Sequence, residues 1–565
     1  MLAERVRSLV KQRSPAGRSG SAGRLAGQAA QAAWQTGRMT EPSPRPHVAI
    51  IGGGIAGLAA AYFLRESPVS VTVFEGSSRL GGKLRVSSVA GVAVDEGAEA
   101  LLARRPEGTG LIHAVGLADQ LETPGTTSAR IWSRGTFREL PGRQFMGVPS
   151  DLGELARVGL LSGEGLTRAR LDAELPPSPL DGDVSVASYV SARFGQELVD
   201  RLVDPLLGGV YAGRSEELSF EATLPALAAA ARRHRSLADA AAGLLPPALS
   251  EPPALSEPPA ARRPPPVFTT LSGGLGLLPA AVAAASGARV RTNCMIRAIK
   301  KLPNGWGLES GPASEPEFIE ADAVILAVPA SPASKLLSDV ARGAAAALAE
   351  IRYASMAIVT LAYPQAVVGA ALTGSGYLVP AVDGRAVKAV TFSTVKWPHL
   401  LAQGNGHTAR AGYGPGSARG YGPGSVAGYE PGRGGGNRPG NVTGQTRPDR
   451  DAMHIVRCSI GRIGEEAILQ RDDADLAALA AAEFTAATGV TGPPAQTRVT
   501  RWGGSLPQYT VGHLDRVARI RAAVEAQPGL AVCGAAYDGL GIPACIASAH
   551  AAAAQVTAQL TALRR

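Results

Sequence analysis

The sequence predicts a mixed protein, α/β in one part and α+β in another, built around a parallel β-α-β unit. Three observations carry this reading. "VAIIGGGIAGLAAAYFL" (Val48–Leu64) sets a G-x-G-x-x-G turn between an apolar strand and an alanine-rich helix. "VSVTVFE" then supplies a second strand ending in an acid, Glu75. Strand and helix signals alternate further on, in "RAVKAVTFST" (Arg385–Thr394), "MHIVRCSIGR" (Met453–Arg462) and the helical "LQRDDADLAALAAAEFTAATG" (Leu469–Gly489). The first two of these read as neighbouring strands of one sheet, and the last as a helix with acids in its first turn and a terminating glycine.

A chain of 565 residues accommodates two or three domains, and its hydrophobic fraction of 45% is that of a globular protein. The net charge of +9 is concentrated at two places. Residues 1–45 contribute +6 and residues 401–450 contribute +4, which leaves the remainder at −1. A nucleic-acid-binding face is therefore not indicated. No apolar run reaches the roughly eighteen residues that span a bilayer. Four widely spaced cysteines (Cys294, Cys458, Cys533, Cys545) make neither a disulfide framework nor a zinc site, and they read as buried thiols in a reducing cytoplasm.

Three segments are set apart by composition. The Arg-rich leader 1–45 reads as a disordered tail or an artefactual extension, with Met39 as the natural start. "PPALSEPPALSEPPAARRPPP" (Pro246–Pro266) holds too much proline for helix or sheet. "GYGPGSARGYGPGSVAGYEPGRGGGNRPG" (Gly412–Gly440) lies in a low-complexity stretch, 401–450, that reads as a tolerated insert in a connection between strands.

The glycine turn is where chemistry begins. Gly52, Gly54 and Gly57 allow a tight turn and close approach of a pyrophosphate, the following helix offers its N-terminal N–H groups to that charge, and Glu75 accepts from ribose hydroxyls. A second turn, "GSSRLGGK" (Gly76–Lys83), follows at once. It resembles the E-x(n)-R-x-G-G element of FAD-binding flavoproteins and moves the reading from NAD to FAD. "GLAVCGAAYDGLGIPACIASAHAAAA" (Gly529–Ala554) reads as a closing strand, turn and helix whose N-terminus would approach a flavin ring.

Taken together, these residues resemble the oxygen-dependent protoporphyrinogen/coproporphyrinogen oxidases of the Gram-positive and actinobacterial type, within the flavin amine oxidase superfamily. The resemblance runs from about Val48 to Ala554. It rests on "DEGAEALLARRP" (Asp95–Pro106), "DPLLGGVYAG" (Asp204–Gly213), "LSGGLGLLP" (Leu271–Pro279), "TRWGGSLPQYTVGHLDR" (Thr500–Arg516) and "CGAAYDGLGIPACIASA" (Cys533–Ala549). The implied fold is a Rossmann-like FAD-binding domain of the monoamine oxidase type, with a mixed-sheet substrate domain and an α-helical domain. The FAD-binding domain would be discontinuous, from 46–135, 267–345 and 528–560. The helical domain would span 140–245 and the substrate domain 350–527.

The resemblance also implies site residues. Gly52, Gly53, Gly54, Ile55, Ala56, Gly57, Glu75, Arg79, Gly81, Gly82 and Lys83 would hold the ADP half of non-covalent FAD, with Ile296 against adenine. Gly97, Ala98, Glu99 and Ala100 would lie alongside the flavin, and Trp502, Gly541, Ile542 and Pro543 would close around it. "GAEA" stands where relatives often carry a GPDS-like tetrapeptide. Arg104 and Arg105 are the candidates for binding a substrate carboxylate, and His513 reads as a hydrogen-bonded structural histidine.

The implied reaction is oxidation of coproporphyrinogen III by dioxygen in haem synthesis, with protoporphyrinogen IX as the alternative substrate. An amine oxidase, a carotenoid-desaturase-like enzyme and a non-catalytic protein on the same fold are the rivals. The implied setting is cytoplasmic, with room for peripheral membrane contact and for transient contact with the next enzyme of the pathway.

Overall fold

The computed structural model describes residues 45–246, 266–403 and 452–563. The leader, nearly all of the proline-rich stretch and all but the first residues of the 401–450 insert lie outside the described residues.

A five-stranded, all-parallel sheet takes its strands from distant parts of the chain. In spatial order these are Arg289–Arg291, Ser70–Phe74, His47–Ile51, Ala323–Leu326 and Leu530–Val532. Period-2 alternation along His47–Ile51 feeds two cores. Val48 and Ile50 pack under the helices Ile55–Leu64, Leu278–Ser286 and Ile542–Leu563. Ala49 and Ile51 face the opposite layer, made of the Ile296–Ala321 meander and the helices Ala330–Leu337, Arg342–Ala349 and His513–Glu525.

The second sheet has seven strands in the order Gln496–Pro507, Tyr353–Pro364, Met453–Ile460, Val387–Phe392, Gly376–Leu378, Arg130–Ser133, Thr136–Glu139. Every pairing is antiparallel except that of Gly376–Leu378 with Arg130–Ser133, so the sheet is mixed. Val387–Phe392 and Met453–Ile460 are adjacent, as their sequences suggested. The helix read near 469–489 runs Asp473–Thr488 and stops at Gly489 in the left-handed region (φ +75°). It covers one face of the sheet, where Ala357, Val359, Leu361, Val456 and Cys458 are buried with Phe484.

Two elements cross the boundaries expected from sequence. The hairpin Arg130–Glu139 joins the seven-stranded sheet, and helix His513–Glu525 packs in the layer beside the parallel sheet. Between them lies a helical region whose apolar faces form a core of their own, including Val186, Val190, Phe194, Leu198, Leu202 and Leu207. This absorbs the apolar periodicity of the stretch in core packing. A buried ion pair, Arg193 Nε to Asp172 Oδ1 at 2.5 Å, ties that region together. Asp172 also accepts from Ser236 Oγ and from the Leu237 and Ala238 N–H groups, so the buried carboxylate is fully hydrogen-bonded. Among the described residues no helix is long and apolar enough to cross a membrane.

Candidate functional site

At the end of the strand His47–Ile51 the chain turns through Gly52, which donates its N–H to Phe74 O (2.8 Å) and whose φ of +112° requires glycine. A Cβ there would lie 2.5 Å from Ala327 O, and one on Gly57 would collide with the Gly52 carbonyl oxygen. Gly54 differs, because a Cβ on it would meet nothing within 4 Å. Two of the glycines thus build the turn, and the third keeps a space open. Helix Ile55–Leu64 starts at Gly54 with no side-chain cap and no acid in its first turn, so its leading N–H groups and positive dipole end face that space. Ile55 and the buried Ala56 form its first turn.

Glu75 follows the second strand directly. Its Oε2 accepts from Gly53 N–H and its Oε1 from Ser77 N–H, each at 2.8 Å, which leaves lone pairs free for hydroxyl donors. The second glycine turn docks on the first: Gly81 N–H donates to Gly53 O at 2.8 Å, and a Cβ on Gly82 would lie 3.4 Å from Gly54 Cα. Arg79 closes this turn with an Nη2 bond to Gly82 O (2.9 Å). Lys83 runs inward to donate to Ser505 O, and burial lowers the pKa of its ammonium. An uncapped helix N-terminus, an open space between two glycine turns and a carboxylate at the strand end fit the pyrophosphate and ribose of FAD.

The line of contacts continues away from Glu75. A Cβ on Gly97 would collide with the Lys83 carbonyl oxygen and stand 3.2 Å from the Trp502 ring. Trp502 Nε1 donates to Glu96 O at 2.8 Å. Ala98 is exposed and Ala100 half-buried on either side of Glu99. Gly541 opens the C-terminal helix by accepting Cys545 N–H at 3.0 Å. Ile542 and Pro543 are buried, and a Cβ on Gly108 would touch Pro543 Cγ at 3.0 Å. Cys545 and Lys83 are close enough for each to shift the other's titration. The two glycine turns, Gly97–Ala100, Trp502 and the start of the last helix therefore converge.

Three expected residues stand apart from this convergence. The Ile296 side chain is turned into the core, so its contact with an adenine would have to come through its main chain. Its neighbour Met295 is 60% exposed and covers Gly76, where a Cβ would lie 2.6 Å from Met295 Cε. Arg104 and Arg105 are both exposed at the start of helix Pro106–Ala114, and Arg105 pairs with Glu107 at 2.8 Å. His513 is fully buried and stacked on Tyr509, with ring centroids 3.9 Å apart. Burial pushes its pKa down to about 4. All four cysteines are free and buried.

The sequence reading missed the cations that hold Glu99. Lys396 Nζ donates to its carboxylate at 2.9 Å, and Arg457 forms a second ion pair with it. These partners lie 297 and 358 positions along the chain, beyond any local spacing rule. The one available signal was an acid among the small residues of "GAEA", which implies a buried cation without saying which.

Residues 55–557 match the family described as flavin containing amine oxidoreductase. The coproporphyrinogen III oxidase of Mycobacterium tuberculosis (strain ATCC 25618 / H37Rv) is 34% identical over 92% of this chain and 99% of its own length. That of Bacillus subtilis (strain 168) is 28% identical over 90% and 97%. A crystal structure from Exiguobacterium sp. 255-15, provisionally described as a protoporphyrinogen oxidase, superposes with a TM-score of 0.71 at 26% identity, covering 92% of this chain and 99% of that one. The chain belongs to the coproporphyrinogen/protoporphyrinogen oxidases of the flavin containing amine oxidoreductase family.

Proposed function

We propose that this chain is an FAD-dependent oxidase that converts coproporphyrinogen III to coproporphyrin III in haem synthesis. Dioxygen is the final acceptor, and each two-hydrogen oxidation releases one hydrogen peroxide. When bound, FAD supplies the hydride acceptor; the protein binds, orients and excludes water. The observation that carries this reading is one uncharged row on the seven-stranded sheet, next to the row that holds Arg457 and beside the flavin-side segment. Cross-strand register puts Trp502 next to Met356, and Ile358, Ser459, Ala389 and Leu378 in one row on the side away from helix Asp473–Thr488. This uncharged wall, half-buried for most of its residues, begins at Trp502 against Gly97. It suits the apolar pyrrole ring system of a porphyrinogen whose carboxylates reach outward. Similarity along nearly the whole length of coproporphyrinogen III oxidases supplies the substrate.

Arg104 and Arg105 are the proposed partners of those carboxylates. Both stand on the segment that continues from Gly97–Ala100, and Arg105 would exchange Glu107 for substrate. A charge-assisted pair is worth roughly 1.5–3 kcal/mol, so Arg→Ala at the responsible position should raise KM about tenfold or more without changing flavin content. Unchanged KM in both single variants and the double variant would remove these residues from the site.

Non-covalent attachment is supported by the cysteines in and just before the last helix. The Cys533 and Cys545 thiols are buried, and burial pushes that of Cys545 up to about 11. Acid precipitation should release all flavin into the supernatant, and flavin retained in the pellet would refute this. Porphyrinogen oxidation itself is tested by measuring peroxide with coproporphyrinogen III and, separately, with primary amines. Peroxide from amines alone would make the chain an amine oxidase.

A further inference from the structure

Glu99 is held by side chains from two other parts of the chain. Its carboxylate receives Lys396 Nζ (2.9 Å), Ser393 Oγ (3.2 Å) and Arg457, and the Arg457 guanidinium also reaches the Gly97 carbonyl oxygen through Nη2 at 2.6 Å. Burial alone would raise the Glu99 pKa. Lys396 and Arg457 more than offset that and hold it well below the usual carboxylate range, so the acid stays ionised. Arg457 is buried on the interior strand Met453–Ile460, flanked by strands on both sides, which makes it a rigid mount. One guanidinium therefore grips the segment at two points, main chain and side chain.

The segment's place along the site gives that grip a direction. From Glu75, at the ribose end, contacts run through Gly53 and Gly54 to Gly81, then Lys83, then Gly97. Gly97–Ala100 is thus beyond the pyrophosphate, at the end opposite Glu75.

We propose that Arg457 is a positioning residue that sets the Gly97–Ala100 segment against the flavin half of FAD and contributes nothing to the ADP half. The proposal rests on the FAD reading given above. Because the grip spans two acceptors in the plane of a guanidinium, a lysine with its single compact charge does not replace it.

The test titrates full-length apoprotein with FAD and with ADP by calorimetry. Arg457→Met and Arg457→Lys should each weaken FAD binding by about tenfold or more while ADP affinity stays at the wild-type value. The visible circular dichroism of the reconstituted flavin should change in both variants. Lys396→Met, which leaves the Gly97 contact in place, should change FAD affinity by no more than about threefold. Wild-type FAD affinity in Arg457→Lys would overturn the two-point grip, and wild-type FAD affinity in Arg457→Met would overturn any positioning role. Equal losses for ADP and FAD would reduce Arg457 to a general structural residue. A wild-type protein that binds neither ligand would overturn the cofactor reading itself, an outcome distinct from all of these.

Discussion

At Gly54 the chain builds its site from main chain alone. Two glycine turns touch, an uncapped helix begins, and the charge that matters belongs to backbone dipoles. At Glu96–Glu99, farther along the same line of contacts, the means are reversed. Glu96 is held by Arg85 (2.9 Å) and Arg498 (3.4 Å), Glu99 by Lys396 and Arg457, and side chains, three of the four from distant parts of the chain, fix the backbone. The first device tolerates no added atoms but needs no partners. The second tolerates small changes of shape and depends most on Arg457, which holds both the Glu99 carboxylate and the Gly97 carbonyl oxygen. The same cofactor would thus be held at one end by shape and at the other by an ionic network.

The comparison breaks most sharply at the glycines. Gly57→Ala should cost on the order of 3 kcal/mol or more, because its Cβ collides with the Gly52 carbonyl. Thermal unfolding should show the apoprotein destabilised and flavin lost together. Gly54→Val should abolish flavin binding with little change in apoprotein Tm, because its backbone (φ −75°, ψ 176°) suits any residue and its side chain would fill only the open space. Parallel losses of stability in the two variants would mean that Gly54 is structural after all.

Smaller effects come from two buried groups that titrate in opposite senses. Burial raises Asp95 to about 6, against bonds from the Leu275 and Gly276 N–H groups that pull it down. Between about pH 4, the ordinary value, and pH 6 the folded state binds the extra proton, so this group makes stability fall as pH rises. His513 is depressed to about 4, so between about pH 4 and 6.5 the unfolded state binds the extra proton and stability rises with pH. Each slope is at most about 1.4 kcal/mol per pH unit, and in the wild type they offset. Asp95→Asn should expose the rising slope and His513→Gln the falling one, read from urea midpoints across pH 4–6.5. Identical pH profiles in all three proteins would contradict both assignments.

The smallest effect should be at the rim. Arg105 and Glu107 form an exposed pair, and Arg105→Ala should move stability by less than about 0.5 kcal/mol. A Tm drop comparable to that of Gly57→Ala would show that the segment is anchored there.

The same contrast explains what was legible in the sequence. His47 to Glu75 is one uninterrupted β-α-β stretch whose order, spacing and residue types all bear on one site, so reading it required no tertiary information. The strands Val387–Phe392 and Met453–Ile460 were legible for the same reason, because alternation marks each strand locally. Glu99, Lys396 and Arg457 come from three separate stretches and meet only through the sheet's register. The sequence offered Ile296 as an adenine contact, but the strand's alternation turns its side chain inward and leaves Met295 outside. The hairpin Arg130–Glu139 joined the second sheet through a parallel pairing with Gly376–Leu378, for which no short-range signal exists.

The central claim is that a full-length flavoprotein fold with a row of uncharged sheet residues beside its flavin end oxidises a porphyrinogen. It is tested most directly by an aerobic assay of the purified, flavin-loaded protein with coproporphyrinogen III and protoporphyrinogen IX side by side, following porphyrin fluorescence and peroxide. The account predicts coproporphyrin formation with three peroxides per porphyrin, in line with loss of six hydrogens per macrocycle, and a higher kcat/KM for coproporphyrinogen. Flavin-loaded protein that forms porphyrin from neither substrate faster than a no-enzyme control would contradict it.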